Sequence, residues 1–127
     1  MARMCLIAEH DPWDIQLLRL YAEQLGFGIT QAFETQAVVS LTKQTHPDVL
    51  LLEVELPGAF GYQKVIRQIQ SDPDVSQTTI ILISRFGLSP VSCGDAAGLQ
   101  TLLKPATCRG LQDCLEKAGA WRQQDVS

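Results

Sequence analysis

This chain of 127 residues lacks the features that mark several large classes of protein. No apolar run approaches the roughly 18 residues of a membrane span, and the short one near the start is too brief for a secretory signal. Lys and Arg number 10 against 14 Asp and Glu, and no basic stripe is interleaved with aromatic residues. A surface that neutralises phosphates needs such a stripe. We therefore expect a cytoplasmic domain that contacts neither membrane nor nucleic acid.

Cysteine and histidine are also scarce in any useful arrangement. The four cysteines form no Cys-x-x-Cys pair, and neither of the two histidines stands at metal-binding spacing from them. The pattern is typical of reduced, partly buried thiols in a reducing compartment. It predicts neither a disulfide framework nor a structural zinc site.

What is present is a regular alternation of strand-like and helix-like segments, which indicates an α/β fold. The composition, 46% hydrophobic and 19% charged, suits one globular domain, which we place at residues 1–120 with a loose polar tail at 121–127. The pattern predicts helix N-caps at Asp11, Thr35 and Thr107. The predicted strands are 4–8, 28–33, the apolar run 49–52, 79–84 and 99–103.

Residues 85–98 interrupt the pattern where a helix between strands four and five belongs. Pro90 and three glycines make poor helix interior, so we expect an irregular or shortened fourth helix there. Five strand-helix units with right-handed crossovers otherwise predict a three-layer αβα sandwich around a five-stranded parallel sheet.

Functional side chains gather at the predicted carboxyl ends of the strands, where such sheets keep their ligand sites. The residues at these ends are Glu9, His10 and Asp11 after strand one, Glu53 after strand three, Ser84 after strand four and Lys104 after strand five. They come from four separate places in the chain. Their convergence predicts one polar site at a single edge of the sheet.

In these segments the sequence resembles a response-regulator receiver domain, the CheY-like module of two-component and phosphorelay signalling. The resemblance runs from about Met4 to Ala118 and rests on the order and spacing of several short motifs. They are the acidic cluster before Pro12, "PDVLLLEVELPG" at 47–58, "TTIILIS" at 78–84 and "LLKP" at 102–105. It implies a flavodoxin-like strand order, 2-1-3-4-5, and a cis peptide bond between Lys104 and Pro105.

The resemblance also implies a role for each residue at the sheet edge. In receivers, two acids after strand one hold a magnesium ion, and an aspartate after strand three accepts the phosphoryl group. A hydroxyl after strand four and a lysine after strand five bind the phosphoryl oxygens. Matched by position, the acidic pair is Glu9 and His10, the acceptor position is Glu53, the switch hydroxyl is Ser84 and the lysine is Lys104. The aromatic switch position of the family falls at Thr101.

Two of these positions depart from the family pattern. Glutamate carries its carboxylate about 1.5 Å further out than aspartate, and phosphoryl transfer depends on positioning. His10 offers a nitrogen where Mg²⁺ prefers oxygen, so we expect magnesium binding to be lost, or weak at best through Glu9 and Glu53. Asp11 is already employed as a helix cap. No other cofactor is expected.

We therefore expect a degenerate receiver, not an enzyme, that acts by docking to a kinase, an effector domain or another regulator. Glu53 either pairs with Lys104 or imitates a phosphorylated aspartate, and both possibilities stay open. His10 is expected to take up a proton among the carboxylates and replace part of the lost metal charge. Trp13 and Phe60 are expected to cover the site or form a docking patch.

Two other functions remain open from the sequence. One is a receiver that is phosphorylated despite its atypical acceptor. The other is a flavodoxin-like enzyme, which the residues disfavour because Glu9, His10 and Asp11 would repel an anionic phosphate where a phosphate-binding loop should lie.

Overall fold

The computed structural model describes residues 3–86 and 98–122, which form one five-stranded parallel sheet and four helices. The strands are β1 (Arg3–Ala8), β2 (Phe27–Ala32), β3 (Val49–Glu53), β4 (Thr79–Ser84) and β5 (Gln100–Leu103). The helices are α1 (Pro12–Gln24), α2 (Thr35–Thr45), α3 (Tyr62–Gln70) and α4 (Cys108–Lys117). The strand order is β2-β1-β3-β4-β5, which confirms the predicted α/β fold and its order.

Alternate residues of the strands pack on opposite faces of the sheet and form two separate hydrophobic cores. Leu51 and Ile81 face the core that contains α1 and α4, whereas Leu50 and Leu82 face the core that contains α2 and α3. The central strand β3 is buried along its whole length, as its uninterrupted apolar run predicted. The three predicted layers are therefore confirmed.

Two of the three predicted helix caps are confirmed. Asp11 caps α1 by accepting hydrogen bonds from the backbone N–H groups of Trp13 and Asp14, and Thr107 caps α4. The prediction for Thr35 is wrong, because the helix begins one residue earlier and Thr35 is its first residue. Its side chain is buried, and its backbone N–H donates to the carbonyl oxygen of Pro57 in the loop after β3.

The expectation of a loose chain from Trp121 onward is also wrong for Trp121 itself. That side chain is 2% exposed in the core shared with α1 and α4, and its indole N–H donates to the carbonyl oxygen of Leu25. The predicted irregular helix falls almost entirely on residues 87–97, outside the described part of the chain. Within residues 3–86 and 98–122, no helix is long and apolar enough to cross a membrane.

Candidate functional site

The parallel register brings the predicted site residues to one edge of the sheet. Ala8 pairs with Leu52, so Glu9 and Glu53 follow at the ends of two adjacent strands. Lys104 follows β5, which lies two strands from β3 and three from β1, and its ammonium contacts both carboxylates. Glu9, His10, Glu53 and Lys104 therefore form one cluster, as predicted.

Glu53 uses both of its carboxylate oxygens inside this cluster and is only 1% exposed. Its Oε2 accepts a hydrogen bond from the backbone N–H of His10 at 3.1 Å and lies 2.7 Å from Nδ1 of the same residue. Its Oε1 lies 3.4 Å from Lys104 Nζ. Burial raises the pKa of Glu53, but hydrogen bonds with Glu9 and His10 and the charge of Lys104 outweigh it and hold the pKa below its usual value.

Glu9 is the second fully buried carboxyl group of the cluster. Its Oε2 accepts the backbone N–H groups of His10 and Asp11, each at 3.0 Å, and its Oε1 lies 2.9 Å from Lys104 Nζ. Burial, together with the hydrogen bond to Glu53, raises the pKa of Glu9 to about 7. Because the two carboxyl groups titrate as a pair, Glu9 holds a proton more readily and Glu53 carries the charge.

Lys104 lies among three carboxylates, one of which the sequence did not suggest. Its Nζ is 2.9 Å from Glu9, 3.0 Å from Asp14 and 3.4 Å from Glu53, and the side chain is 7% exposed. Burial lowers the pKa of Lys104, but these contacts outweigh it and raise the pKa above its ordinary value. The sequence did carry a signal for Asp14. It lies three residues after Asp11 in the first turn of α1, and residues three apart on a helix are neighbours on its surface.

Asp11 acts as the cap of α1: its backbone N–H donates to Glu9, and among the described residues no hydrogen bond or ion pair joins its side chain to the buried cluster. Its Oδ1 accepts the backbone N–H groups of Trp13 at 2.9 Å and Asp14 at 3.2 Å. The hydrogen bond from the Asp14 N–H has the largest effect on the pKa of Asp11, and both hydrogen bonds lower it. The cap explains this residue fully.

Ser84 is buried at the end of β4, but its hydroxyl is engaged with the backbone that follows. It donates to the carbonyl oxygen of Phe86 and accepts the backbone N–H of the same residue at 3.1 Å. In the described part of the chain, no hydrogen bond joins Ser84 to Glu53. The switch hydroxyl is thus in its predicted place but bonded elsewhere.

The remaining predicted positions are also accounted for. The peptide bond between Lys104 and Pro105 is cis, as expected. Thr101, at the aromatic switch position, is partly exposed, and its carbonyl oxygen accepts from the Cys114 thiol. Trp13 is 67% exposed on α1, whereas Phe60 packs against the core beneath α2 and α3. Of the two aromatic residues, Trp13 is the more exposed, and Phe60 is partly buried.

The comparisons with known proteins agree with this geometry. Residues 5–118 match the family described as "Response regulator receiver domain", so the chain belongs to that family of two-component signalling domains. PilH of Pseudomonas aeruginosa is 31% identical over 84 residues, which are 66% of this chain and 68% of PilH. The virulence sensor protein BvgS of Bordetella pertussis is 29% identical over 119 residues, 91% of this chain but 9% of BvgS.

A solved structure shows the same fold. It is the receiver domain of a sensor histidine kinase from Pseudomonas aeruginosa PAO1, with a magnesium ion coordinated in its active-site cleft. The TM-score is 0.81 at 20% identity, over 94% of this chain and 99% of that one. At this identity the likeness supports the fold alone.

The magnesium ion that the family implies does not fit the residues of this chain. Mg²⁺ requires a near-octahedral shell of oxygen atoms. Here His10 places an imidazole nitrogen beside Glu53, and the Lys104 ammonium already lies against Glu9 and Glu53. A Mg²⁺ ion would have to displace the Lys104 ammonium, and it would still not gain a full shell of oxygen ligands.

Proposed function

We propose that this receiver domain signals by docking to a protein partner without being phosphorylated. The observation that carries the proposal is the occupied state of Glu53, whose two oxygens are held by His10 and Lys104. An acceptor carboxylate must be free to attack a phosphorus atom in line, and a shift of one methylene already misplaces it. The Glu53 carboxylate is buried with both oxygens engaged, so it is not free to attack, and its extra methylene places it too far out.

The same contacts favour structural pairing of Glu53 with Lys104 over imitation of a phosphorylated aspartate. A phosphoryl group would carry about 1.5 to 2 negative charges and recruit the switch hydroxyl, whereas a carboxylate carries at most one. Ser84 bonds to the backbone of Phe86 instead. The pairing therefore supports a site that no longer responds to phosphorylation but still balances its buried charges.

The proposal includes the absence of enzymatic activity and of a cofactor. The cluster lacks a nucleophile with a free base beside it, since the described carboxylates are paired with Lys104 or with backbone N–H groups. We also propose that the domain works in the cytoplasm, where two-component signalling takes place, and binds neither nucleic acid nor membrane, in keeping with its net charge of −4.

The docking partner we propose is a histidine kinase, an effector domain or another regulator, met through α1 or through β5 and its neighbours. Large apolar side chains are exposed on both surfaces: Trp13 at 67% and Leu20 at 51% on α1, and Leu103 at 51% on β5. Exposed aromatic and aliphatic residues are the usual anchors of protein interfaces. Their exposure supports docking faces on these two elements.

The test is intact-protein mass spectrometry after incubation with acetyl phosphate and Mg²⁺, and separately with a histidine kinase and ATP. We expect no phosphoryl adduct on the wild-type chain. The double variant Glu53→Asp with His10→Asp restores the family's acids and is expected to accept a phosphoryl group if the rest of the pocket is intact.

A stoichiometric adduct on the wild-type chain that disappears in Glu53→Gln would overturn the proposal and establish an atypical acceptor. An adduct that persists in Glu53→Gln would lie on another residue and leave the role of Glu53 as proposed. A yellow purified protein with flavin absorbance would instead support the flavodoxin-like alternative.

A further inference from the structure

The strand β2 lies at one edge of the sheet and lacks the features that usually protect an edge strand. It pairs with β1 along one side, and within residues 3–86 and 98–122 no strand pairs with its other side. Its six residues include no charge and no proline, and all six keep register with β1 without a bulge. Charged residues, proline, bulges and short length are the usual means of preventing further pairing. The outer side of β2 is therefore open to another strand.

A hydrogen bond to β1 shows which backbone groups of β2 face outward. The backbone N–H of Glu9 donates to the carbonyl oxygen of Ala32, so the backbone groups of Ala32 face β1. Successive residues of a strand direct these groups to opposite sides, so every second residue counted back from Ala32 also faces β1. The N–H and C=O groups of the other three residues, Phe27, Ile29 and Gln31, therefore face the open side.

We propose that two copies of this chain form a twofold dimer by antiparallel pairing of their β2 strands, which joins the two sheets into one. The axis passes between the two Ile29 residues. In this register each Phe27 lies opposite Gln31 of the other copy, so every outward N–H and C=O group of β2 has a partner. Because β2 carries no charge, the two strands meet without repulsion. The inference does not rest on the proposed function.

The side chains around the axis suit this register. Ile29 lies on the face of the sheet that packs against α1 and α4, and it is only partly buried there. Pairing places the two Ile29 side chains side by side, which is a favourable contact between β-branched residues. On the opposite face, Thr30 lies opposite Gly28 of the other copy, so small residues leave room for the approach. Phe33, directly after the strand, is 53% exposed and adds apolar surface to this edge.

Helix α1 carries charges of both signs on the side that is turned toward the β2 edge. Asp14 contacts Lys104 on the opposite side, the one nearer β5. Arg19 comes five residues after Asp14 and so lies roughly 140° around the helix from it. Its guanidinium forms an ion pair with Glu23 at 3.0 Å, and both side chains are more than half exposed. A positive and a negative group therefore stand together beside the open strand.

The height of these two charged residues agrees with the position of the axis. Ile29 lies two residues into β2, about 7 Å from its start. Because α1 runs back toward the start of β2 at about 1.5 Å per residue, Ile29 is level with a point four to five residues before Leu25. That point lies between Arg19 and Glu23. Across a twofold axis at this level, Arg19 of each copy faces Glu23 of the other, so the charges of the two surfaces are complementary.

Sedimentation equilibrium of the full chain measures self-association, and amide hydrogen exchange followed by NMR locates it. We expect an equilibrium between the 14.0 kDa monomer and a dimer of twice that mass. The N–H groups of Ile29 and Gln31 should become protected as the dimer forms, whereas that of Thr30, which faces β1, is protected at every concentration. A chain that stays monomeric up to about 1 mM would refute the inference. A dimer in which the Ile29 and Gln31 N–H groups still exchange freely would refute it as well.

Three variants test the two parts of the interface. Gln31→Pro removes an N–H that faces away from β1 and leaves the bonds between β1 and β2 in place, so it should weaken dimerisation by about tenfold or more. Arg19→Glu places like charges across the axis and should weaken dimerisation by about fivefold or more. Combining Arg19→Glu with Glu23→Arg restores opposite charges and should return the affinity to within about twofold of the wild type.

The control is Arg109→Glu, which makes the same change of charge at an exposed residue of α4 and should leave dimerisation unchanged. Leu103→Asp tests the other edge of the sheet, because Leu103 is 51% exposed on β5. Circular dichroism verifies that each variant is folded, and the charge variants decide the outcome if Gln31→Pro unfolds. Dimerisation that is lost in Leu103→Asp but unchanged in Arg19→Glu would place the interface on β5 and contradict the inference.

Discussion

Glu9 and Glu53 are the same amino acid, yet the pocket holds their carboxyl groups in different states. Both are buried, and burial alone would raise both pKa values. Glu53 accepts two hydrogen bonds from His10, and Lys104 Nζ lies 3.4 Å away. Together with the hydrogen bond from Glu9, these contacts lower its pKa. For Glu9, burial and the hydrogen bond with Glu53 outweigh the hydrogen bonds from Asp11 and Lys104, so its pKa rises to about 7. Neighbours decide the charge, not the residue type.

This difference predicts a pH-dependent stability that is traceable to one residue. A carboxyl group whose pKa is raised from 4.5 to about 7 stabilises the fold fully below pH 4.5 and loses that contribution as the pH rises through 7. Relative to Glu9→Gln, the wild type should lose about 2 kcal/mol between about pH 5 and pH 8. Lys104, Glu53, His10 and Asp14 face this group and are unchanged in the variant.

Urea denaturation followed by circular dichroism at several pH values measures the two free energies of unfolding. Glu116→Gln, at an exposed glutamate of α4, serves as the reference for a change of charge on the surface. A difference between wild type and Glu9→Gln that stays flat across this pH range would contradict the assignment of the proton to Glu9.

At the scale of elements, the loop after β3 is tied to the start of α2. Thr35 opens that helix, and its backbone N–H donates to Pro57 at 3.0 Å. The next residue, Gly58, has φ +147°, and a Cβ placed on it would lie 2.6 Å from the Thr35 nitrogen. The close approach explains why Thr35 is buried in the first turn instead of capping the helix from outside.

Gly58→Ala is therefore expected to destabilise the domain by about 2 kcal/mol or more, because it adds steric overlap to an unfavourable backbone conformation. Gly61→Ala is the matched control: it has an ordinary φ of −82° as the N-cap of α3, and nothing lies within 4 Å of its added Cβ. Chemical denaturation of both variants measures the difference. Equal losses at the two glycines would refute the role of the close approach.

Across the whole molecule, the final described turn closes the core between the sheet, α1 and α4. Trp121 follows the end of α4 and donates its indole N–H to Leu25, the residue that caps α1, at 2.8 Å. Two helices that are far apart in the chain are thereby joined at one end of the same core. The boundary of the folded domain thus extends beyond Ala120.

Trp121→Ala is expected to cost about 3 to 5 kcal/mol, because it removes a large buried side chain and leaves a carbonyl oxygen without its donor. That is a large fraction of the stability of an ordinary domain. Trp13→Ala is the matched control, since that indole is 67% exposed and should change the free energy of unfolding by less than about 0.5 kcal/mol. Denaturation monitored by far-UV circular dichroism suits both variants. Similar values for the two would show that the chain end contributes no core contact.

The sequence by itself determined the layers, the strand order through its family resemblance, and the set of residues at the sheet edge. The spacing of apolar residues is a local property, and the uninterrupted apolar run Val49–Leu52 indicates a strand that is buried on both faces. In a parallel sheet the carboxyl ends of the strands lie at one edge, which brings Glu9, Glu53 and Lys104 together. The capping role of Asp11 was equally predictable, because it depends only on the first turn of its own helix.

Only the tertiary structure decided how the edge residues pair. The third partner of Lys104 is Asp14, the Ser84 hydroxyl bonds to Phe86, and Trp121 is buried against Leu25. These are contacts of a few ångströms between residues whose separation in the chain carries no periodic signal. The division of charge between Glu9 and Glu53 depends on the same distances, since burial and hydrogen bonding act over one or two atoms.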